Sequence, residues 1–171
     1  YQEADFNGVK SYVGQLLNSA KDKREVKIIA MLAFCDYYGQ TGLPQLLVDQ
    51  YLNIPRRSSY LANYPHAKSV FLLCERFEDR VDCYCSKHPL ISREILEQSS
   101  QKLYGTSLKG CLTDLSRLLI DAVFSAYKVK ASQAYQEVLE RIFIDKSAIQ
   151  DKFSKLILDV STPMFRKEIL K

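Results

Sequence analysis

Residues 70–97 limit the possible folds of this chain more than any other stretch. Two β-prone apolar runs, 70–74 and 81–85, flank a charged turn. In the second run Val and Cys alternate with polar residues and a tyrosine, which is the period of a strand with one buried face. His88 and Pro89 then open an amphipathic segment with apolar residues one helical turn apart. The stretch predicts a β-hairpin that leads directly into a helix.

Helical patterns precede this hairpin. Residues 5–19 have an amphipathic period, and residues 24–38 are apolar on almost every side, so neighbours must cover that second helix. A third helix follows Pro44, which a first helical turn tolerates, and a shorter one spans 57–64. Helices followed by a hairpin and a further helix are the order of a winged-helix domain, in which the helix at 57–64 would enter a DNA groove. We therefore predict a winged-helix domain with a preceding helix at residues 1–104.

The remainder, residues 105–171, has helical periodicity only. Apolar residues recur at helical spacing over 112–126 and again over 135–142. Ser147 and Gln150 have the spacing of a capping box, which predicts the start of a helix that Pro163 breaks, and 165–170 begins one more. The predicted fold class is mainly α: a winged-helix domain with one β-hairpin, followed by an antiparallel helical bundle.

The composition is that of a globular protein without a membrane segment. The chain has 171 residues, of which 47% are hydrophobic and 26% charged. No apolar run approaches the roughly 20 residues of a membrane span. The five cysteines are odd in number and scattered through apolar segments, which favours reduced thiols and a cytoplasmic location. The polar start at Tyr1 has no signal-peptide pattern and predicts a fragment of a longer chain.

The sequence has no catalytic motif, so we predict that this chain is not an enzyme. Its glycines do not form the G-x-x-x-x-G-K-[ST] pattern of a P-loop. Cys83-x-Cys85-x-x-His88 invites a zinc hypothesis, but structural zinc sites usually space paired cysteines by about two to four residues and need four ligands. Cys83 and Cys85 are neighbours on one strand face, so buried thiols are the favoured interpretation and no metal is predicted.

A basic cluster with interleaved tyrosines accompanies the predicted helix at 57–64. Arg56, Arg57 and Lys68 would meet phosphates, and Tyr60 would stack on bases, if this surface bound nucleic acid. A solvated helix rim is the favoured alternative, because a dedicated DNA reader usually carries a denser patch on a more basic domain. The net charge of +4 permits an acidic partner but does not require one.

His88 is the remaining candidate site residue. It lies between a predicted strand and a helix N-terminus, where an imidazole can face an anion attracted by free helix amides. On these physical grounds alone, a capping or core histidine is the favoured interpretation.

The same segment resembles a known family. The run Cys85-Ser-Lys-His88-Pro-Leu-Ile, followed by Ser92-Arg-Glu-Ile-Leu, resembles the HPLI signature that closes the winged-helix domain of STAND-type signalling NTPases. These are multidomain switches of innate immunity and antiphage defence, and include vertebrate SAM-domain antiviral proteins and bacterial defence NTPases. The helix from Lys27 onward resembles the first helix of that domain. Residues 141–146 and 151–157 resemble the helical stretch before its TPR-like repeats.

The resemblance implies that His88 senses the bound nucleotide and helps hold the ADP-bound, inactive arrangement. An upstream domain would bind ATP or ADP, and this chain would carry no cofactor of its own. The implied partners are that nucleotide-binding domain and a repeat sensor in the same protein, with a homo-oligomer on activation and no membrane contact. The first hypothesis is thus the regulatory part of a defence switch, leading to TPR-like repeats. A nucleic-acid-binding winged helix and a helical protein-interaction adaptor are the alternatives.

Overall fold

The structure is a computed structural model, which describes residues 2–75, 81–105, 108–146 and 150–160, with the backbone alone at 2–6. The predicted charged turn at 76–80, Ser147 of the capping box, Pro163 and the predicted helix at 165–170 lie outside these residues. Within them the chain is mainly helical, with a small antiparallel sheet of three strands. The α-helices in the described part are α1 (Gln2–Asn18), α2 (Lys23–Gly39), α3 (Gln45–Leu52), α4 (Tyr60–Asn63), α5 (Ser92–Tyr104), α6 (Leu108–Val129), α7 (Gln133–Leu139) and α8 (Lys155–Val160).

Helix α2 lies at the centre of the molecule, as its apolar sequence predicts. Asp22 caps its first turn by accepting a hydrogen bond from the Glu25 amide at 3.0 Å. Its apolar side chains are buried on all sides, and the helix packs against α3, α5, α6 and the sheet. The prediction of a helix that neighbours cover on most sides is confirmed.

The sheet contains one strand more than the predicted hairpin. The hairpin strands β2 (Phe71–Cys74) and β3 (Cys83–Ser86) pair in antiparallel register, and the two-residue β1 (Leu43–Pro44) pairs with the other edge of β3. The strand order is therefore β1-β3-β2. Pro44, which we expected in the first turn of a helix, belongs to this edge strand and immediately precedes α3. An edge strand tolerates proline because one side of its ladder is unpaired.

Both faces of the sheet are covered, so the prediction of a strand with one buried face is wrong for β3. Tyr84 is 1% exposed and packs in the main core on one side. Cys83, on the opposite side, is also buried and packs with Val81 and with Ala134 of α7. Helix α7 thus shields the face that carries the cysteines. The residue types do alternate, but packing on both faces of the sheet leaves no residue of β3 exposed.

The helix predicted at 57–64 is a single turn, α4. Ser59 caps it by accepting a hydrogen bond from the Ala62 amide at 3.2 Å, and a 3₁₀ turn, Pro65–Ser69, follows directly. Tyr60 has no exposed surface, and its ring packs edge-on against that of Tyr84 with the centroids 5.4 Å apart. The segment that we expected to present Tyr60 to a DNA groove therefore buries that ring in the core.

The helical second half matches the prediction except near its end. The apolar face of α6 is buried as expected, and α7 continues into a π-helical turn, Glu140–Ile144. Helix α8 begins at Lys155 and not at the predicted capping box, because residues 150–154 are not helical. Ser154 takes the capping position and accepts a hydrogen bond from the Ile157 amide at 3.4 Å.

One hydrophobic core extends across the predicted domain boundary at 104/105. It joins residues of α2, α3 and α5 with those of α6, α7 and α8. Gly105 ends α5 in the left-handed conformation (φ 69°), which lets the chain reverse into α6. A search of the described helices finds none with both the length and the apolarity to cross a bilayer.

Candidate functional site

The residues between the sheet and α5 present an exposed surface on a fixed support. His88 precedes a 3₁₀ turn, Pro89–Ile91, so an α-helix does not begin directly after it as we expected. His88, Pro89 and Leu90 are exposed, and Leu90 keeps 94% of its accessible surface. Ile91 turns inward and is buried. We call His88, Pro89 and Leu90 the His88 surface.

Backbone and side-chain hydrogen bonds fix the His88 surface on both sides. The His88 amide donates to Ser86 Oγ at 3.2 Å, and the Lys87 amide donates to the Val70 carbonyl at 2.7 Å. On the helical side, the buried Ser92 donates its hydroxyl hydrogen to Asp36 Oδ2 at 2.6 Å. Val70 is fully buried and Asp36 belongs to the central helix α2, so these bonds attach the surface to the core.

The hydrogen bond between Ser92 and Asp36 also affects the pKa of the Asp36 carboxyl. Burial raises the pKa of the Asp36 carboxyl, and the hydrogen bond from Ser92 opposes that shift. Half-buried carboxylates need such donors because desolvation disfavours the charged form. Ser92, the first residue of α5, therefore anchors the helix to α2 just behind the exposed residues.

The His88 imidazole has no hydrogen-bond or ion-pair partner among the residues that the structure describes. An imidazole can donate from one ring nitrogen and accept at the other, so its full bonding capacity is open to an external group. The neighbouring Leu90 offers an apolar contact beside it. The arrangement can bind and position a partner group.

The predicted nucleic-acid residues are not gathered on one helix. Arg56 and Arg57 are exposed in the loop between α3 and α4, and Lys68 is exposed in the 3₁₀ turn after α4. Tyr60 is buried, so it is not available to stack on a base in this arrangement, which corrects that part of the prediction. Arg56, Arg57 and Lys68 are exposed cations that can meet phosphates, but Tyr60 cannot add base stacking beside them.

His66, which belongs to the same stretch, lies against the core and not on an open surface. Its Nε2 atom is 2.5 Å from Oε1 of Glu25, a carboxylate with no exposed side-chain surface. The second oxygen of Glu25 accepts a hydrogen bond from the Lys21 amide at 2.6 Å. The pair joins the start of α2 to the turn after α4.

The cysteines form a packed group on the sheet. Cys74 lies opposite Cys83 in the strand register, and the Cys85 thiol is hydrogen-bonded with Cys74. Burial and these neighbouring thiols raise the pKa of Cys85 to about 12, so it is a neutral thiol at pH 7. In residues 2–75, 81–105, 108–146 and 150–160, no three or more His, Cys, Asp and Glu side chains converge as a metal site would require.

A second feature, which we did not predict, lies at the C-terminal end of α2. A cleft of about 340 Å³ is lined by Tyr37, Tyr38, Arg141, Asp145, Lys146 and Lys155. We call it the Tyr37 cleft. Arg93 of α5, which is not part of this lining, donates a hydrogen bond to the Tyr37 hydroxyl at 3.0 Å. The cations of the lining come from the π-helical turn, the residues after it, and α8, so no local motif signals the cleft.

Comparisons with protein-family models, with curated proteins and with solved structures found no match to this chain.

Proposed function

We propose that this chain is the regulatory winged-helix and helical part of a STAND-type signalling NTPase. In this proposal the His88 surface packs against an upstream nucleotide-binding domain and responds to its nucleotide. The helices after α5 would lead toward TPR-like sensor repeats. The resemblance of the HPLI run is the reason for proposing this partner, and the exposure of His88, Pro89 and Leu90 supports the choice of contact surface.

The order of the elements supports the winged-helix assignment. Three helices, α2, α3 and α4, precede the β2–β3 hairpin, and α5 follows it, which is the order on which the assignment rests. The single turn of α4 and the buried Tyr60 favour a domain that packs on protein over one that reads a DNA groove. The nucleic-acid alternative accordingly loses its recognition helix.

The observation that carries the proposal is the pairing of an exposed histidine with an exposed leucine on a rigid support. A single exposed leucine is ordinary on a protein surface. Here Leu90 is 94% exposed beside an imidazole with no partner in the described residues, and Ile91 and Ser92 fix both from below. Burying one leucine side chain in an interface contributes about 1.5–3 kcal/mol. The surface therefore offers apolar contact and a polar sensor together.

The mechanism is a shift between two packing arrangements. With ADP bound, the imidazole of His88 would hydrogen-bond to the nucleotide phosphates while Leu90 is buried against the upstream domain. With ATP bound, the contacts of that arrangement would be weaker, and the helical unit would swing away as a rigid body. A nucleotide moves such an equilibrium only by the difference between its affinities for the two states.

The test is the rate of ADP release from the parent protein. His88→Ala is expected to release ADP roughly tenfold faster, because one hydrogen bond to a charged group contributes about 1.5 kcal/mol. It should also raise basal signalling. Lys128→Ala, which removes an exposed cation on α6, serves as the matched control and should release ADP at the wild-type rate. Unchanged ADP release and unchanged signalling in His88→Ala would contradict the proposal.

A further inference from the structure

The Tyr37 cleft brings cations from separate elements to one pair of aromatic rings. Lys155 lies over the Tyr37 ring with its Nζ 3.6 Å from the centroid, and 6.0 Å from that of Tyr38. Arg93 of α5 donates a hydrogen bond to the Tyr37 hydroxyl at 3.0 Å. Arg141 donates to the Gln40 carbonyl at 3.5 Å, and so sits at the end of α2. The packing of α2, α5, α7 and α8 therefore produces this convergence.

Acidic neighbours account for only part of this charge. Arg93 pairs with Glu97 at 3.0 Å on α5, and Arg141 of the π-helical turn pairs with Glu137 of α7 at 2.9 Å. Asp145 lies in the cleft lining. Within the described ranges, neither Lys146 nor Lys155 has a carboxylate partner. Two ammonium groups thus face the cleft without a bound anion from those residues.

The pKa values of the two tyrosines shift in opposite directions, because different charged groups lie next to their hydroxyls. The pKa of Tyr37 is lowered, although burial acts to raise it, because Lys155 and Arg93 donate to its oxygen and attract its charged form. The hydroxyl of Tyr38 instead donates to Asp159 Oδ2 at 2.9 Å, and burial together with that carboxylate raises its pKa. Cations therefore surround the Tyr37 hydroxyl, whereas a carboxylate accepts from the hydroxyl of Tyr38.

We propose that the Tyr37 cleft binds a small molecule that carries a di- or triphosphate group. A guanidinium fork and several ammonium groups suit an anion with many charged oxygens better than a single carboxylate. The volume of about 340 Å³ lies within the range of small-molecule sites. Lys146 and Lys155 would contact the phosphate oxygens, Arg141 of the lining would add positive charge, and the Tyr37 hydroxyl would add a further polar contact. This site is distinct from the His88 surface, and it does not depend on the STAND assignment.

Titration of the 171-residue chain with inorganic pyrophosphate tests the site. With ¹³C-labelled tyrosine, the Tyr37 resonance is identified by its loss in Tyr37→Phe and followed at constant ionic strength. We expect a saturable shift, and a rise in the pKa of Tyr37 on binding, because the added anion offsets the cations that lower it. Sulfate carries one oxyanion group instead of two and should bind more weakly.

Two charge-removing variants and one control locate the binding. Lys146→Gln and Lys155→Gln are each expected to weaken pyrophosphate binding at least about fivefold, or roughly 1 kcal/mol. Lys146 is exposed and outside the helices, so its variant keeps the test valid if Lys155→Gln disturbs α8. Lys23→Gln removes an exposed cation at the other end of α2, about 20 Å away at 1.5 Å per residue, and should bind as the wild type does.

Three results would overturn the proposal. The first is the absence of a saturable Tyr37 shift at pyrophosphate concentrations up to about 10 mM, which would put the dissociation constant above that value. The second is equal weakening in Lys23→Gln, which would mean general screening. The third is equal binding of sulfate, which would remove the assignment to a diphosphate group.

Discussion

Glu25, in the first turn of α2, carries a buried carboxylate that links this helix to the turn after α4. Its side chain has no exposed surface and contacts both His66 and the Lys21 amide. A buried carboxylate is tolerated only when such partners replace water. The contact also fixes the turn after α4, since His66 belongs to that turn.

Removing this carboxylate should strongly destabilise the fold. Glu25→Ala is expected to lower the free energy of unfolding by about 3 kcal/mol, because it removes the acceptor of the Lys21 amide and the partner of His66 and leaves a cavity in their place. Urea-induced unfolding at pH 7 measures the change. Asp121→Ala removes an exposed acid on α6 and should change stability by less than about 0.5 kcal/mol. Equal losses in the two variants would show that the Glu25 contacts contribute nothing.

The half-buried carboxyl of Asp49 in α3 predicts that the stability of the fold depends on pH. Burial raises the pKa of its carboxyl from 3.8 to about 6, against an opposing hydrogen bond with Gln45. Between these values the folded state keeps a proton that the unfolded state has lost, so stability should fall as pH rises from about 4 to 6. Asp49→Asn should flatten this fall and stabilise the chain at pH 7 by about 1 kcal/mol, a figure reduced for the half of the carboxyl that water reaches.

Unfolding midpoints at pH 4 and at pH 7 check this prediction. The wild type should lose more stability between the two pH values than Asp49→Asn does. An identical pH dependence in the two proteins would mean that Asp49 ionises normally in the folded state.

At the scale of elements, the junction of β1 with β3 depends on a close backbone approach at Gly42. A methyl group at this position would lie 2.8 Å from Cys83 Cβ and 2.9 Å from the Tyr84 carbonyl oxygen. Neither neighbour is the flexible end of a long side chain, so the strands would have to separate. The buried Leu43 of β1 opposes that separation.

Gly42→Ala should therefore destabilise the chain by about 1–3 kcal/mol, the usual range for overpacking. Gly8→Ala provides the matched control, because no atom lies within 4 Å of its added methyl group. In α1 that substitution should be neutral or stabilise the chain by up to about 1 kcal/mol. Thermal unfolding of both variants measures the difference. A Gly42→Ala protein as stable as Gly8→Ala would contradict the close approach.

The elements differ in how far local sequence could predict them. Helices α2 and α6 follow from the period of their apolar residues, because that period decides which side chains are buried. Strand β1 has only two residues and includes a proline, so its identity depends on its partner Tyr84 and on no pattern of its own. The start of α8 was misplaced because Ser147 and Gln150 match a capping box, whereas Ser154 performs the capping.

The candidate sites also differ in how far local sequence could predict them. His88 was identified from one short run, and its exposure agrees with a surface role. Tyr60 was expected at a surface because basic residues surround it in sequence, yet Tyr64 and Tyr84 enclose its ring. The Tyr37 cleft escaped prediction because Tyr37 and Arg93 are 56 positions apart and meet only after α2 packs on α5.

At the scale of the whole molecule, the core continues from α2 through α5 into α6 and α7. A contact made at the His88 surface is therefore mechanically joined to the helices that follow it. This continuity suits a unit that moves as one body, as the proposed switch requires. It also places the Tyr37 cleft on the same rigid support as the His88 surface, through Ser92 and Arg93 at the start of α5.

Site-specific photo-crosslinking in the parent protein tests this switch most directly. A benzophenone amino acid at position 90 replaces the exposed Leu90, and one at the exposed Val129 of α6 serves as control. The probe at position 90 is predicted to crosslink to the upstream nucleotide-binding domain with ADP bound and to lose most of that crosslink with ATP. The probe at position 129 should not respond to the nucleotide. A crosslink from position 90 that is absent with ADP, or equal with ADP and ATP, would contradict the proposed role of the His88 surface.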